Sequence, residues 1–372
     1  MLKAISSIFQ KFQSSDVPML IDAENVTNES FIQVFHRLDK KSLLNCTLAC
    51  HRFADLISND SFWIEHARMH NKQKVLPPLP WRRAVAQKKF DVNESEEVDV
   101  SNFNFNMKKM VLGGRGYSPI IPSFHSHFET ARENTIRGVI RSDDFSIRAS
   151  ADGIRMELNG GEGCQPHPEV SQCFAYSFST SAISIFIDLV DSGIDEWILD
   201  YVRPKIRITQ KINHRHDCSA RIAFAAQLNY NETQWIHEFG MRQTAGNTDN
   251  KRYKSIVKEW EQWTEDKWED VSLEFTDYPS GMRHLTVLNE GKDGMFWKGF
   301  YGPKVANIQV QVILPDIPIV RAAAADQEKC QEDEEPSEAD EPRPGFRMPL
   351  HPRRRYMWAV PPAVAREADD NE

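Results

Sequence analysis

The apolar positions of this chain change period once, and the change divides it into two halves. Between residues 26 and 70 they recur at helical spacing. In Phe31-Ile-Gln-Val-Phe-His-Arg-Leu38, the residues Phe31, Val34, Phe35 and Leu38 stand at i, i+3, i+4 and i+7. A second helix is expected from Asp39 or Lys40 through Ile57, with Leu43, Leu44, Leu48, Phe53 and Leu56 on its apolar side. Asn59 or Asp60 can cap a third helix that carries Phe62 and Trp63. Pro77-Pro78-Leu79-Pro80 then halts helix, because proline lacks the amide proton and collides with the preceding turn. A short helix over Trp81 to Phe90 follows, and the acidic stretch 91–101 reads as an inter-domain linker.

From about Val111 the pattern becomes one of short strands. Ala182-Ile-Ser-Ile-Phe-Ile-Asp-Leu-Val190 is β-branched and apolar. Pro204 to Gln210 and Val305 to Val312 alternate polar and apolar residues, as a strand with one buried face requires. Turn residues recur between such runs, at Asn159-Gly160-Gly161, Pro279-Ser280-Gly281 and Asp293-Gly294. Many short strands separated by turns predict an antiparallel β-sandwich or jelly roll. One helix, Ile194 to Val202, interrupts them and ends before Pro204. The expected fold is therefore multidomain α+β, helical first and β-sandwich second.

Composition adds limits. The hydrophobic fraction is 40% and the charged fraction 27%, as in soluble globular chains. No apolar run approaches the ~20 residues of a membrane span. Met1 to Phe12 carries an apolar stripe of a short helix but no signal-peptide core. The net charge is −9, yet nine acids and one lysine lie between Asp326 and Glu341. The acidity thus belongs to the tail, and nucleic acid has no basic surface to meet. The segment 316–372 is expected to be a disordered acidic and proline-rich tail, with Arg353-Arg354-Arg355 as solvated residues or a nuclear address. The six cysteines include no Cys-x-x-Cys pair, which fits reduced thiols in a cytosolic setting.

The helical half resembles an F-box. Val34-Phe35, Leu38, Leu43-Leu44, Cys50, Leu56 and Phe62-Trp63 fall at that family's spacings, while Val26-Thr27 replaces its usual Leu-Pro. The second half resembles the F-box-associated domain. The segment Asp293-Gly-Met-Phe-Trp-Lys-Gly-Phe-Tyr-Gly302 carries the likeness most specifically. Upstream, Asp188-Leu, Gly193, Trp197, Leu199-Asp200, Pro204 and Arg215-His-Asp-Cys218 keep the order, with Gln210-Lys211 where the family has Asp-Trp. The expected layout is an N-terminal extension over 1–22, an F-box over 23–70, a linker with a short helix over 71–109, a sandwich over 110–315, and the tail.

The resemblance implies a non-catalytic receptor of an SCF-type ubiquitin ligase, cytoplasmic, with the nucleus as a second location. Val34, Phe35, Leu38, Leu43 and Leu44 would dock on the Skp adaptor, which bridges to a cullin. Sugar-recognising members of the family imply a glycan site at Phe174, Phe178, Asp217, Phe296, Trp297 and Lys298. Phe296 stands where tyrosine is usual in the best sugar binders. The implied ligand is the inner N-acetylglucosamine pair of high-mannose N-glycans on misfolded glycoproteins marked for degradation. The chemistry is coherent: Trp297 suits the C–H face of a pyranose, Phe178 the acetamide methyl, Lys298 can donate and Asp217 accept. The alternatives are Trp297 as a core aromatic and a sandwich that binds a protein surface without sugar. No cofactor is expected. His214-Arg215-His216-Asp217-Cys218 has no second cluster to complete a metal site, and no paired carboxylates or nucleophile motif mark an enzyme.

Overall fold

The computed structural model describes residues 26–92, 98–230 and 247–322. The apolar stripe of Met1 to Phe12 and the Arg353-Arg354-Arg355 run lie outside these residues, as does the tail from 323 onward.

Four short helices open the described chain: α1 (Asn28–Phe35), α2 (Lys40–Thr47), α3 (His51–Ser58) and α4 (Asp60–Met69). Side-chain caps start three of them. Thr27, Asp39 and Asn59 accept from the amides of Ser30, Ser42 and Ser61. The single helix expected from Asp39 or Lys40 to Ile57 is therefore two. It breaks at Leu48–Cys50, where Cys50 adopts extended backbone and the chain turns. Phe31, Phe35 and Phe53 form an aromatic cluster between α1 and α3, with centroids 4.9 and 5.0 Å from Phe53.

A fifth helix, α5 (Leu79–Gln87), carries proline in its first turn, where no amide partner is needed. The stretch expected to be a linker is largely a docking layer. Trp81 is fully buried, and its indole donates to the Pro315 carbonyl at 2.6 Å. Phe103 stacks on Trp197 at 4.5 Å, and the Trp197 indole donates to the Asn104 carbonyl. The helix α6 (Met107–Leu112) buries Met107, Met110 and Val111. Gly116 passes so close to Val75 that a Cβ there would stand 2.1 Å from the Val75 carbonyl oxygen. One apolar cluster runs from Phe31 in α1 to Val320, so helices and sandwich share a core.

The short β1 (Asp91–Val92) comes next in the chain after α5, and α7 (His125–Thr130) precedes the sandwich. The sandwich strands are β2 (Thr135–Arg141), β3 (Phe145–Leu158), β4 (Gln172–Tyr176), β5 (Ser181–Asp188), β6 (Lys205–Asn213) and β7 (Ala220–Asn229). They continue as β8 (Thr248–Asp249), β9 (Tyr253–Trp260), β10 (Glu269–Phe275), β11 (His284–Asp293) and β12 (Lys304–Ile313), and β13 (Ile319–Val320) lies beyond them. The hydrogen-bonded order is β10-β6-β12-β4-β3-β5-β11-β7-β9-β8, with β2 beside β3. All of these pairings are antiparallel.

Strand β3 makes this one path into two layers. Its first residues pair with β5, and its last residues pair with β4. Isoleucines of β5 and β6 and the alternating apolar residues of β7, β11 and β12 fill the space between the layers. A helical turn at Ile198–Val202 ends where Arg203 turns left-handed before Pro204. β13 pairs in parallel with β1, so the chain is ordered past 315 and the start of the expected tail belongs to the fold.

Candidate functional site

Three loops meet at one end of the sandwich. They follow β4, precede β7 and follow β11. Backbone hydrogen bonds knit them together: Asp293 N–H donates to the Ser177 carbonyl, Gly294 N–H to Ser219, and Gly302 N–H to Tyr176. The approach is too close for side chains at two points. A Cβ on Gly294 would stand 2.2 Å from the Ser219 hydroxyl, and one on Gly302 would stand 2.8 Å from the Tyr176 carbonyl oxygen.

Asp293 builds the loop after β11. It is fully buried, and its Oδ1 accepts from the amides of Met295 and Phe296 at 3.0 and 2.7 Å. Burial pushes its carboxyl above the usual range, against those two amide bonds. The turn it holds places Phe296 in the left-handed region with 71% of its surface exposed. Trp297 follows at 46% exposure, and Lys298 is exposed too. Of the two positions open to Trp297, core or surface, the structure assigns the surface.

Behind Trp297 stands an ordered polar stack. The Tyr301 ring meets the Trp297 ring edge-on at 6.1 Å. The Arg215 guanidinium lies over Tyr301 at 4.7 Å. Arg215 also forks the Asp217 carboxylate, with Nε to Oδ1 at 2.9 Å and Nη2 to Oδ2 at 2.8 Å. That fork holds the Asp217 carboxyl down to about 2. Each Asp217 oxygen keeps a lone pair for a further donor.

Farther in, Lys304 is fully buried and donates to Glu157 at 2.6 Å and to the Phe300 carbonyl at 3.1 Å. Arg155 bonds the other Glu157 oxygen and lies over the Phe300 ring at 4.5 Å. This buried cluster clamps the C-terminal end of the loop.

The six residues expected at a glycan site separate accordingly. Phe178, Asp217, Phe296, Trp297 and Lys298 are at least partly exposed on these three loops. Phe174 is not among them. It lies in β4, is 2% exposed, and packs against Phe124 and Phe128 at 5.2 and 4.8 Å. Strand alternation turns it inward, so it belongs to the core. Sequence reasoning missed Tyr301, the stacking role of Arg215, and the anchoring by Asp293 and Lys304. It took Asp293-Gly294 as a turn and as the start of the Asp293–Gly302 segment, without the anchoring role of the buried carboxylate. His214 and His216 point apart: His214 stacks on buried Trp260, while His216 is exposed. Among the described residues, no group of three or more His, Cys, Asp or Glu could hold a metal ion.

The expected adaptor face is also revised. Phe35 is 3% exposed and Leu43 fully buried, because both fill the helices' own core. Leu38 and Leu44 are half-buried and Val34 is exposed. Leu48, at the break between α2 and α3, is 77% exposed and is the strongest apolar candidate on this surface. No helix among the described residues is long and apolar enough to cross a membrane.

A helical module sharing its core with an antiparallel sandwich, the sandwich bearing one ordered loop cluster, is the class of scaffold defined here. Family models agree: one described as F-box-like matches residues 28–68, and one described as F-box associated region matches residues 134–312. The chain thus carries an F-box-like region followed by an F-box associated region. F-box only protein 6 of Homo sapiens is 27% identical over 295 residues, covering 78% of this chain and 82% of that protein. F-box only protein 44 of Homo sapiens is 27% identical over 293 residues, covering 78% and 94%. F-box only protein 6 of Mus musculus is 30% identical over 168 residues, covering 42% and 52%. The match to F-box only protein 6 of Mus musculus and Rattus norvegicus thus spans about half the length of those relatives.

Proposed function

We propose that this chain is the substrate-receptor subunit of an SCF-type ubiquitin ligase and holds client glycoproteins by the inner N-acetylglucosamine pair of a high-mannose N-glycan. The observation that carries the sugar reading is Trp297. A large aromatic face stands exposed on a loop locked by Asp293 at one end and Lys304 at the other. Such a face suits the C–H side of a pyranose, and a flat aromatic contact contributes ~1 kcal/mol beyond area burial. Lys298 can donate to hydroxyls, Asp217 can accept, and Phe178 offers a wall for the acetamide methyl. These polar contacts contribute ~1–3 kcal/mol each where water is excluded. An open site with so few contacts supports roughly micromolar affinity or weaker.

On the helical module, Val34, Leu38, Leu44 and Leu48 offer the apolar side chains for the Skp adaptor, which links to a cullin. The shared core between helices and sandwich supports a fixed placement of client relative to ligase. The chain then works by proximity: it brings a client lysine to a ubiquitin conjugate held elsewhere in the complex. The inner sugar pair is covered in a folded glycoprotein, so this site selects unfolded clients returned to the cytosol.

A glycan array with the full chain tests the reading. Chitobiose-bearing glycans should be retained, and Trp297→Ala should lose them without a change in melting. A folded wild-type chain with no glycan binding at millimolar ligand would move the assignment to a sandwich that binds a protein surface.

A further inference from the structure

Among the described tryptophans, two are exposed: Trp297 and Trp263. Trp263 is the more exposed, at 70%. It stands on the turn after β9, in the left-handed region at φ 70°, which is costly for a bulky residue. The turn is tied directly to the sugar loops. Trp263 N–H donates to the His216 carbonyl at 2.6 Å, and the Gln262 amide donates to the Asp217 carbonyl at 3.0 Å. The Trp263 ring meets His216 edge-on at 6.0 Å. A strained tryptophan is therefore held out to solvent beside the same Arg215–Asp217 pair that backs Trp297.

We propose that Trp263 is a second stacking platform, which takes a further pyranose ring of the glycan whose inner pair sits at Trp297. The inference rests on the saccharide reading above. A pyranose is the favoured occupant for two reasons. The glycan continues outward from the inner pair, so another ring is tethered to the same ligand. The turn around Trp263 is also polar, with Glu261 and Glu265 exposed on it and His216 beside it. A lone aromatic face among hydrogen-bonding groups matches a sugar, with its C–H face and rim of hydroxyls, better than an apolar side chain of a client. Trp263 would thus set the preference for extended over truncated glycans, while Trp297 sets binding of the inner pair.

The experiment is calorimetric titration of the full chain with two ligands: free chitobiose, and an oligomannose glycan built on chitobiose. Trp263→Ala should leave the chitobiose affinity within about two-fold and weaken the longer glycan about five-fold, the factor expected for one aromatic contact. Trp263→Phe should recover most of that loss, and both variants should melt as wild type. Equal weakening for both ligands, or no weakening for either, overturns the inference. In those cases, if Trp297→Ala still abolishes both, the saccharide reading itself stands. If the wild-type chain binds neither ligand, that reading falls and this inference falls with it.

Discussion

The guanidinium of Arg215 lies 4.7 Å above the ring of Tyr301. Through it, the Asp217 carboxylate is coupled to the edge of Trp297. Arg215 therefore orients both an acceptor and a stacking face without needing to touch the ligand. Arginine can do this because its planar fork matches the carboxylate and its face stacks on the ring; lysine has neither property. Arg215→Lys should weaken glycan binding about ten-fold, as expected for one charge-assisted contact. Titration of the variant with chitobiose checks this, and an unchanged affinity would remove Arg215 from the site.

Asp217 gives a pH signature. Its folded value of about 2 lies below the ordinary 3.8, with the Arg215 hydrogen bond as the main cause. The depressed group stays ionised above pH 3.8 and loses its charge only as pH falls through about 2. Loss of glycan binding between pH 7 and 4 should therefore not come from Asp217. Wild type and Asp217→Asn should differ by the same factor at pH 7 and pH 5. A gap that closes by pH 5 would place the Asp217 titration in the wrong range.

The adaptor face separates two kinds of leucine. Leu43 is fully buried and Leu48 is 77% exposed. Leu48→Glu should abolish co-purification with the Skp adaptor and leave the melting temperature within about 1 °C, since exposed substitutions rarely exceed ~0.5 kcal/mol. Leu43→Asp should unfold the helical module, because it buries an unpaired charge. Undiminished co-purification of folded Leu48→Glu would shift the contact to Val34 and Leu44.

The change of hydrophobic period made the helical and β halves legible in the sequence, because local burial fixes periodicity. The site loop was legible through its Phe-Trp-Lys run and its turn residues. What periodicity cannot say is whether an apolar stripe meets its own core or a partner. Phe35 shares a stripe with Val34 in one helix and Leu43 with Leu44 in the next, yet of these four only Phe35 and Leu43 are interior. Phe174 and Phe178 are both aromatic, but the first lies within β4 and faces inward, while the second stands beyond its end. The Arg215–Tyr301 contact, the Phe103–Trp197 stack and the β1–β13 pair all join distant parts of the chain. No local pattern encodes such contacts.

The buried pair Lys304–Glu157 should be a strong point of stability. Burial opposes ionisation of Glu157, but the Lys304 charge and the hydrogen bonds from Lys304 and Arg155 outweigh it and hold the carboxyl below its usual range. Lys304→Met removes one partner and should cost ~3 kcal/mol, because a buried charge loses its main counterion. The double variant Lys304→Met, Glu157→Gln should recover part of the loss. Denaturant titration measures both. In the wild type, the stability from this pair is present above the ordinary Glu value of 4.5 and is lost as pH falls through the lowered folded value. Equal stability of wild type and Lys304→Met at pH 7 would show that the cluster does not clamp the loop.

The helical module should be the acid-sensitive part. His36 and His66 are buried with their Nδ1 atoms 3.3 Å apart, and the His36 ring stacks on Phe62 at 4.5 Å. Two neutral rings share one proton across that gap, whereas protonating both would set N–H against N–H. Burial, then the charges of His70, His36 and Lys72, push His66 down to about 4, and burial likewise lowers His36 against the pull of Glu65. A histidine whose folded value lies below its ordinary 6.5 binds its proton more readily in the unfolded chain. Its contribution to stability is then full above pH 6.5 and declines as pH falls toward about 4. The melting temperature should fall between pH 7 and pH 5. In His66→Phe, which keeps a stacked ring but has no proton to bind, the fall should be smaller. A wild-type melting temperature that is flat from pH 7 to 5 would mean that these two rings do not control the module's stability.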